Sequence, residues 1–279
     1  MDSQISKNEY SIIRFNLLTS LLAILNQNDE DDTSFVIANY ILNNLKDMEK
    51  RSIYKVAEDC FVSRSSIQRF VKEIGYENYT QMKQSLAEVI SHEEALLDYT
   101  DHTDFSNYIL ESISTMAQDI TETAKKNGFK NLLDRFIRAK SIVILVAEDS
   151  SHACKLFQQQ LLAAGKLIRI ATSAGSNISF LNTLDRDDLL IVCSVTGNFA
   201  LAVTDQLKDI NATKCLITLN RTTVFLGQYS IIYYLGDKIK PSSRSIRMFK
   251  NVYTNYGLSL FFDLLFHAYF RSSISPGKV

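Results

Sequence analysis

Side chains that could read a polar surface are concentrated between residues 63 and 72. The candidates carry hydroxyl, amide or cationic groups and fall on or beside the outward face of a predicted helix: Ser63, Arg64, Ser65, Ser66, Gln68, Arg69 and Lys72. Arginine pairs with guanine through two hydrogen bonds, glutamine pairs with adenine in the same way, and serine bonds to bases or phosphates. These residue types favour contact with DNA, although a polar face on an isolated helix more often simply faces solvent.

The preceding residues supply the partner helix that this interpretation needs. The apolar positions of the stretch 53–60 share one helical face: Ile53, Val56, Ala57 and Cys60. Ala57 is small and lets a second helix cross closely, and Val62 fills the turn between the two. Ser63 is a favoured N-cap, and Gly75 ends the second helix. Two short helices joined by a tight turn predict a helix-turn-helix whose second helix enters the major groove of double-stranded DNA.

A second group of polar residues directly follows an apolar run, residues 189–193. Here the hydroxyls of Ser194 and Thr196 and the backbone N–H groups of Gly197 and Asn198 could surround a phosphate without a cation. In an open parallel sheet, ligands bind at the carboxyl ends of the strands, beside helix N-termini. The alternative is an ordinary Ser/Thr turn that caps a helix.

The hydrophobic periodicity changes near residue 100. Before it, only helical patterns occur, at about 11–27, 34–44, 52–60, 63–74 and 78–90. Residues 91–105 are rich in His, Asp, Glu and Thr and are predicted to be a linker. After it, helices alternate with short apolar strands at about 142–147, 167–171, 189–194, 215–219 and 231–235, and a helix at about 245–270 closes the chain.

This alternation is typical of a parallel sheet covered by helices on both faces. We therefore predict two domains: an all-α helix-turn-helix domain (1–90) and, after the linker, a doubly wound α/β domain (106–279) with the flavodoxin-like strand order.

Composition excludes several classes of protein. The 279 residues include 9 Gly and 2 Pro, so a collagen-like or low-complexity chain is excluded. The formal net charge is −1, and residues 1–90 hold ten basic and thirteen acidic residues. Any affinity for DNA must therefore come from a local patch and depend on salt.

The cysteines and the apolar runs indicate the compartment. The four cysteines, at positions 60, 154, 193 and 215, lack the spacing of a disulfide framework or a metal site. Leu17–Leu25 has helical rather than signal-peptide spacing, and no apolar run is long enough to span a membrane. We expect a cytoplasmic protein with no metal, no cofactor and no membrane contact.

The helical domain resembles the RpiR/MurR-type bacterial transcriptional regulators over roughly residues 35–86. The resemblance rests on these positions: Ala38–Leu42, Ala57-Glu58, Val62-Ser63, Ile67, Arg69-Phe70, Lys72, Ile74-Gly75-Tyr76, Tyr79 and Lys83. In that family Val-Ser opens the recognition helix. One departure is Phe61, which stands where the family usually has Gly in the turn. A residue other than glycine in left-handed geometry costs about 1 kcal/mol.

The second domain resembles a sugar isomerase (SIS) domain from Ser141 to about Leu235. That family binds phosphosugars with a Ser-x-Ser-Gly-x-Thr loop, which Ser194, Thr196 and Gly197 match; Asn198 stands where Glu is common, and Phe199 replaces the last hydroxyl residue.

The family's first loop, Gly-x-Gly-x-Ser, is altered in this chain. Ser150 aligns with its serine, but Val146 and Glu148 replace the glycines, and Asp149 adds a second acid. Two carboxylates beside a phosphate repel it. Either the ligand is less anionic, or a cation such as Lys155 compensates, or the pocket has degenerated.

These resemblances imply a transcriptional regulator of carbohydrate metabolism that binds an operator as a homodimer or higher homo-oligomer. A sugar phosphate would bind at Ser150, Ser194, Thr196, Gly197 and Asn198, and no residue is assigned to catalysis. The apolar final helix is either core packing or part of a dimer contact. Two alternatives remain open: an α/β domain that only dimerises, and a phosphosugar isomerase or lyase using Glu148 or His152 as the base.

Overall fold

The computed structural model describes residues 17–172, 179–238 and 251–274. Within these ranges the chain divides into two compact units, residues 17–100 and the remainder from residue 101 onwards. The N-terminal residues of the first predicted helix and the start of the last predicted helix lie outside the described residues. None of the helices in the described ranges is both long enough and apolar enough to cross a membrane.

The described part of the first unit consists of helices. Their bounds are α1 (Leu17–Gln27), α2 (Thr33–Asn43), α3 (Leu45–Met48), α4 (Ile53–Asp59), α5 (Arg64–Glu73), α6 (Tyr79–Gln84) and α7 (Leu86–Thr100). Side-chain caps set several helix starts: Ser52, Ser63 and Asn78 accept hydrogen bonds from the backbone N–H groups of Lys55, Ser66 and Gln81. The predicted N-cap role of Ser63 is therefore confirmed.

One apolar core holds these helices together. Its fully buried members come from α2, α4 and α5 among others: Ile37, Ile41, Val56, Ile67, Phe70 and Val71. Val62, in the turn between α4 and α5, packs against this core as predicted. Burial of these side chains, rather than the propensity of such short helices, stabilises the unit.

Two predictions for this unit were wrong in detail. The single helix predicted over 78–90 is divided at Ser85 into α6 and α7, and α7 continues to Thr100, through much of the segment 91–105 that was predicted to be a linker. The helix-forming residues between 93 and 97 (Glu, Ala and Leu) account for this extension, because helix propensity does not require an amphipathic pattern. The segment that joins α7 to the next helix is thus short, residues 101–104.

A polar cluster ties α2 to α4. It comprises Tyr40, Asn44, Arg51, Lys55 and Asp59, and we call it the Arg51 cluster. Arg51 Nη1 lies 2.9 Å from Asp59 Oδ2, and Lys55 Nζ lies 2.8 Å from Asp59 Oδ1. Arg51 Nη2 donates to Asn44 Oδ1 at 3.0 Å, and the Arg51 carbonyl accepts a hydrogen bond from Tyr79 on α6. The cluster therefore sets the position of α4 within the unit.

We expect the stability of this unit to decrease in acid because of Asp59. Hydrogen bonds from Lys55 and Tyr40 hold the pKa of Asp59 below its usual value of 3.8. A carboxyl group with a lowered folded-state pKa stabilises the fold above its unfolded-state pKa, and this stabilisation is lost as the pH falls through the folded-state value. Urea unfolding measured from pH 7 to below about pH 4 should show a steeper acid loss for the wild type than for Asp59→Asn. Asp31→Asn, which removes an exposed carboxylate outside the cluster, should retain the wild-type profile.

The second unit is a doubly wound α/β domain. Its helices and strands alternate as α8 (Phe105–Ala124), α9 (Asn127–Arg138), β1 (Ile142–Val146), α10 (Ser151–Ala163), β2 (Arg169–Thr172), β3 (Leu189–Cys193), α11 (Asn198–Ala202), α12 (Thr204–Leu207), β4 (Thr213–Thr218), β5 (Ile231–Tyr234) and α13 (Leu258–Ile274). Short 3₁₀ turns occur at Glu148–Ser150, Ser179–Thr183 and Thr223–Phe225, and a π-helical turn, Tyr253–Gly257, precedes α13.

The strands form one parallel sheet in the order β2-β1-β3-β4-β5. This is the flavodoxin-like order, so the predicted fold class is confirmed. Every residue of β1 and β3 is buried, as expected for central strands covered on both faces. Between β3 and β4, where the alternating pattern predicts one helix, the chain forms two short helices, α11 and α12, which are divided at Val203.

Aromatic side chains fill the space between the helices on one side of this sheet. The rings of Phe157 on α10 and Phe262 on α13 stack at 4.6 Å, and Phe136 on α9 lies 5.7 Å from Phe157. Phe261 and Leu265 are also buried. Core packing thus accounts for much of the apolar surface of the final helix.

Candidate functional site

Helices α4 and α5 form the predicted helix-turn-helix. The turn between them, residues 60–63, is closed by hydrogen bonds from Val62 N–H to the Ala57 carbonyl (2.9 Å) and from Phe61 N–H to the Glu58 carbonyl (3.1 Å). Ile67, Phe70 and Val71 turn one face of α5 into the core. The opposite face is therefore left to solvent.

That opposite face carries most of the predicted DNA-binding side chains. Arg64, Ser65, Gln68, Arg69 and Lys72 are exposed, and Ser66 is half-buried. Within the described residues, Gln68, Arg69 and Lys72 form no ion pair or side-chain hydrogen bond, so their polar groups are available to a ligand. The Ser63 hydroxyl is instead engaged by Ser66 N–H (3.0 Å) and by the Ser65 hydroxyl (2.7 Å).

Tyr54 on α4 holds Arg64 at the start of α5. The Arg64 guanidinium carbon lies 4.8 Å from the centre of the Tyr54 ring, and Arg64 Nη1 donates a hydrogen bond to the Tyr54 hydroxyl. Tyr54 is 65 % exposed, so the pair lies at the surface. Tyr54 was not predicted from the sequence, where an aromatic residue on the first helix of the pair was the only signal for it.

We expect Tyr54 to pre-organise Arg64 for DNA binding. Tyr54→Ala should weaken operator binding by several-fold, because an exposed cation–π contact contributes about 0.5–1 kcal/mol. Tyr54→Phe keeps the ring and should have a smaller effect. Fluorescence anisotropy with a labelled operator duplex measures both. In an Arg64→Ala background, Tyr54→Ala should have no additional effect if Tyr54 acts through Arg64.

Phe61 adopts the left-handed conformation expected from its place in the turn. Its φ is +54°, and its side chain is 96 % exposed. The ring therefore contributes little packing to offset the backbone strain.

Phe61→Gly should stabilise the protein. The left-handed strain of about 1–2 kcal/mol is relieved, and the greater chain entropy of glycine in the unfolded state offsets about 0.5–1 kcal/mol of this gain. The free energy of unfolding, measured by urea denaturation, should rise by about 0.5–1 kcal/mol. Phe61→Ala keeps the strain and serves as the control; a rise of the same size in that variant would contradict the explanation.

The second candidate site lies at the carboxyl edge of the parallel sheet. Strands β1 and β3 are direct neighbours, with Val146 paired to Cys193 at their carboxyl ends. The segments that follow them, residues 147–150 and 194–198, are therefore adjacent. This is also the point where the strand order reverses, which is where doubly wound sheets bind ligands.

The loop after β3 is held in shape largely by its own hydrogen bonds. Ser194 is 5 % exposed, and its hydroxyl accepts a hydrogen bond from Ala200 N–H at 3.2 Å. Gly197 N–H donates to the Ser194 carbonyl at 3.0 Å, and Asn198 N–H donates to Thr196 Oγ1 at 3.4 Å. Both N–H groups predicted to face a phosphate thus already have a partner. The Thr196 side chain is half-buried, and the Asn198 side chain is exposed.

Asn220, which follows β4, positions this loop and was missed by the analysis of the sequence. Its side-chain amide donates to the Thr196 carbonyl at 2.8 Å. A Cβ at Gly197 would lie 2.7 Å from Asn220 Nδ2, and Gly197 has a φ of +82°. Both the close approach and the left-handed conformation therefore require glycine here.

The first loop combines acids with one cation. Lys155 Nζ lies 3.3 Å from Glu148 Oε1, and the Ser150 hydroxyl donates to Asp149 Oδ1 at 3.0 Å. Lys155 thus offsets the charge of Glu148; compensation by such a cation was one of the possibilities left open by the sequence. Asp149, by contrast, accepts a hydrogen bond from the neutral Ser150 hydroxyl. His152 is exposed on the first turn of α10. No group of three or more metal-ligating side chains occurs among the residues that the structure describes.

The helix-turn-helix with a polar, solvent-facing second helix defines the first unit as a DNA-binding domain. Residues 16–93 match the helix-turn-helix domain of the rpiR family. The N-terminal domain is thus a helix-turn-helix domain of that type, and such a domain indicates a transcriptional regulator.

Other proteins are similar along most of this chain or along part of it. An HTH-type transcriptional regulator in the aarA 3′ region of Providencia stuartii is 24 % identical over 264 residues, 91 % of this chain and 90 % of that protein. The structure of Vibrio vulnificus NanR complexed with ManNAc-6P is 19 % identical, covers 92 % of each chain and has a TM-score of 0.44. The sugar isomerase domain of an RpiR transcription factor from Sphaerobacter thermophilus is 14 % identical, with a TM-score of 0.38 over 59 % of this chain and 96 % of that one.

Proposed function

We propose that this regulator controls genes of carbohydrate metabolism and responds to a sugar phosphate bound by its α/β domain. The observation that carries the effector site is the parallel pairing of β1 with β3, which brings the segments 147–150 and 194–198 together at the carboxyl edge. The binding residues proposed there are Ser150, Ser194, Thr196, Gly197 and Asn198. Helix α5 is proposed to enter the major groove, with Arg64, Gln68 and Arg69 contacting bases and the serines and Lys72 contacting phosphates.

The proposal includes a homodimer or higher homo-oligomer. A helix-turn-helix unit reads few base pairs, and a symmetric dimer presents two recognition helices about 34 Å apart, one turn of DNA. The effector regulates binding only if it has different affinities for the two arrangements of the DNA-binding domains.

A regulator whose α/β domain only dimerises is the second candidate. One observation in its favour is that N–H groups of the loop 194–198 already form hydrogen bonds within the loop. Another is that Asp149 forms no ion pair with a cation among the described residues. Catalysis is the less favoured alternative, although an isomerase could use Glu148 or His152 as a base.

A thermal-shift screen of the full chain against phosphorylated and unphosphorylated sugars separates these candidates. A ligand at one hundred times its dissociation constant stabilises the folded state by about 2.7 kcal/mol, which raises Tm by several degrees. A hit among phosphosugars that also changes operator affinity supports the proposal. A hit only among neutral sugars contradicts the phosphate assignment, and no hit across the panel favours the dimerisation-only candidate. Turnover of a phosphosugar would establish an enzyme.

A further inference from the structure

The loop after β3 is bound to the segment that follows β4, residues 219–222. Leu219 N–H donates a hydrogen bond to the Val195 carbonyl at 2.9 Å. The side-chain amide of Asn220 donates to the Thr196 carbonyl at 2.8 Å. The two segments therefore form one hydrogen-bonded unit at the carboxyl edge of the sheet, and a movement of the first loop acts directly on Asn220.

Binding of an anion by the N–H groups of Gly197 and Asn198 requires this loop to rearrange. Both groups already donate within the loop, to the Ser194 carbonyl and to Thr196 Oγ1, so an anion that accepts from them must replace those hydrogen bonds. Gly197 also has no spare room beside Asn220, because a Cβ there would lie 2.7 Å from Asn220 Nδ2. The loop thus has two alternative sets of hydrogen bonds, and a change from one to the other acts on Asn220.

Arg221, the next residue in the chain, joins the segment after β4 to the segment after β5. Its Nη2 donates to the Gly236 carbonyl at 2.9 Å and also to the Asp237 carboxylate. Its guanidinium carbon lies 4.2 Å from the centre of the ring of Tyr234, the last residue of β5. A guanidinium held by a carbonyl, a carboxylate and an aromatic ring has a defined position. A movement of Asn220 is therefore passed on to residues 236 and 237.

The segment after β5 is in turn bound to the C-terminal part of α8. Asp119 on α8 is 1 % exposed, and its Oδ1 accepts hydrogen bonds from the N–H groups of Asp237 and Lys238 at 3.0 and 3.2 Å. Lys238 Nζ lies 3.3 Å from Glu122 Oε2, and Lys126, just after α8, pairs with Asp237. A buried carboxylate is unfavourable unless it is hydrogen-bonded, so these contacts fix α8 to this edge of the sheet.

Helix α8 is also the element that follows the DNA-binding unit in the chain. Residues 101–104 alone separate the end of α7 from Phe105, the first residue of α8. A linker of four residues has a short reach, so it leaves little slack between the two helices. A shift of α8 therefore acts on the end of α7, the last helix of the DNA-binding unit.

We propose that this series of contacts couples the loop 194–198 to α8, with Arg221 as the positioning residue that joins its two halves. The inference rests on the proposed function, and it names how an anion bound at the carboxyl edge changes DNA binding. Coupling between distant sites requires an element with two states, which the alternative hydrogen bonds of the loop provide. When the loop rearranges, Asn220 and Arg221 move with it. The contacts of residues 236–238 with Asp119 then change, and the position of α8 changes with them.

Gly197→Ala tests the coupling without any sugar phosphate. Its methyl group cannot lie 2.7 Å from Asn220 Nδ2, so the loop or Asn220 must shift. Hydrogen–deuterium exchange of the DNA-free full chain should become about fivefold faster or more for the amides of residues 116–124 in α8. The amides of α10, which lies outside this series of contacts, should retain their wild-type exchange. In an Arg221→Gln background, Gly197→Ala should change the α8 exchange by less than about twofold.

The affinity for DNA tests whether the coupling is regulatory. The duplex is one selected from random sequences by the wild-type protein. Gly197→Ala should change its dissociation constant by about fivefold or more, which is typical of allosteric coupling, whereas adding Gly197→Ala to Arg221→Gln should have no further effect. Arg186→Gln, which removes an exposed arginine at the amino edge of the sheet, is the matched control and should leave the effect of Gly197→Ala intact.

Four results would each overturn the proposal: unchanged α8 exchange in Gly197→Ala, equally faster exchange in α10, unchanged DNA affinity, or the same changes with and without Arg221. If Gly197→Ala fails to fold, Asn220→Ala breaks the same series at the loop. It should speed exchange in α8 of the otherwise wild-type chain and have no further effect in Arg221→Gln. Failure of the proposed effector site is seen separately, as the absence of any hit in the thermal-shift screen.

Discussion

Arg69→Ala is expected to lower the affinity for operator DNA by about tenfold to a hundredfold while leaving the protein folded. A bidentate contact between arginine and a base contributes about 1–3 kcal/mol of discrimination. Arg69 lies on the exposed face of α5, opposite the buried Ile67, Phe70 and Val71, and its guanidinium has no partner within the described residues. Its removal therefore takes away the proposed contact with DNA and no hydrogen bond or ion pair among the described residues.

The measurement compares a specific duplex, selected from random sequences by the wild-type protein, with an unrelated duplex of the same length. Arg69→Ala should lose affinity for the selected duplex and much less for the unrelated one, because base contacts carry the specificity. Lys50→Ala removes an equal charge from an exposed position outside α5 and should retain the preference for the selected duplex. An unchanged preference in Arg69→Ala would remove Arg69 from the proposed set of base contacts.

Removing both hydroxyls of the loop after β3 should abolish the response to a sugar phosphate. A hydrogen bond to a charged group contributes about 1.5–3 kcal/mol, so losing two of them should weaken binding by about a hundredfold or more. Ser194→Ala/Thr196→Val keeps the β-branched shape at residue 196. The titration of effector against operator-bound protein should then show no change in DNA affinity at concentrations that saturate the wild type.

The two hydroxyls are expected to contribute differently, and single variants show this. Ser194 is buried and its hydroxyl accepts a hydrogen bond from Ala200 N–H, so Ser194→Ala should also lower the free energy of unfolding by about 1–3 kcal/mol. Thr196 is half-buried, and Thr196→Val should reduce the effector response with little loss of stability. Thr121→Val, which removes an exposed hydroxyl of α8, is the matched control. Wild-type affinity for the effector in the double variant would contradict the assignment of this loop.

The features that could be predicted were those whose signal is local. The inward face of α5, its N-cap at Ser63 and the left-handed turn at Phe61 depend on residues within a few positions of one another. The buried strands β1 and β3 were also evident, because a strand covered on both faces is apolar throughout. The division of helices at Ser85 and Val203 could not be predicted, since the apolar pattern continues through both positions.

Contacts between residues that lie far apart in the sequence could not be predicted from local patterns. Asp119, which is 1 % exposed, accepts hydrogen bonds from the backbone of Asp237 and Lys238 and from the Tyr253 hydroxyl, more than one hundred residues away. Burial and this contact with Asp119 raise the pKa of Tyr253. Nothing in the local sequence indicates that these residues meet, because only the packing of α8 against the segment after β5 and the π-helical turn brings them together.

The amino-acid sequence by itself determined the two-domain organisation, the helix-turn-helix and the polar face of α5, since each follows from periodicity and residue type along a short stretch. Only the tertiary structure decided which polar groups are already engaged. It pairs Lys155 with Glu148, places Tyr54 beneath Arg64, and directs the Ser194 hydroxyl to a backbone N–H. It also brings the end of α9 beside the turn before β3 and the first residue of β4 at the amino edge of the sheet. A side chain's partners depend on packing in three dimensions, which residue spacing along the chain does not encode.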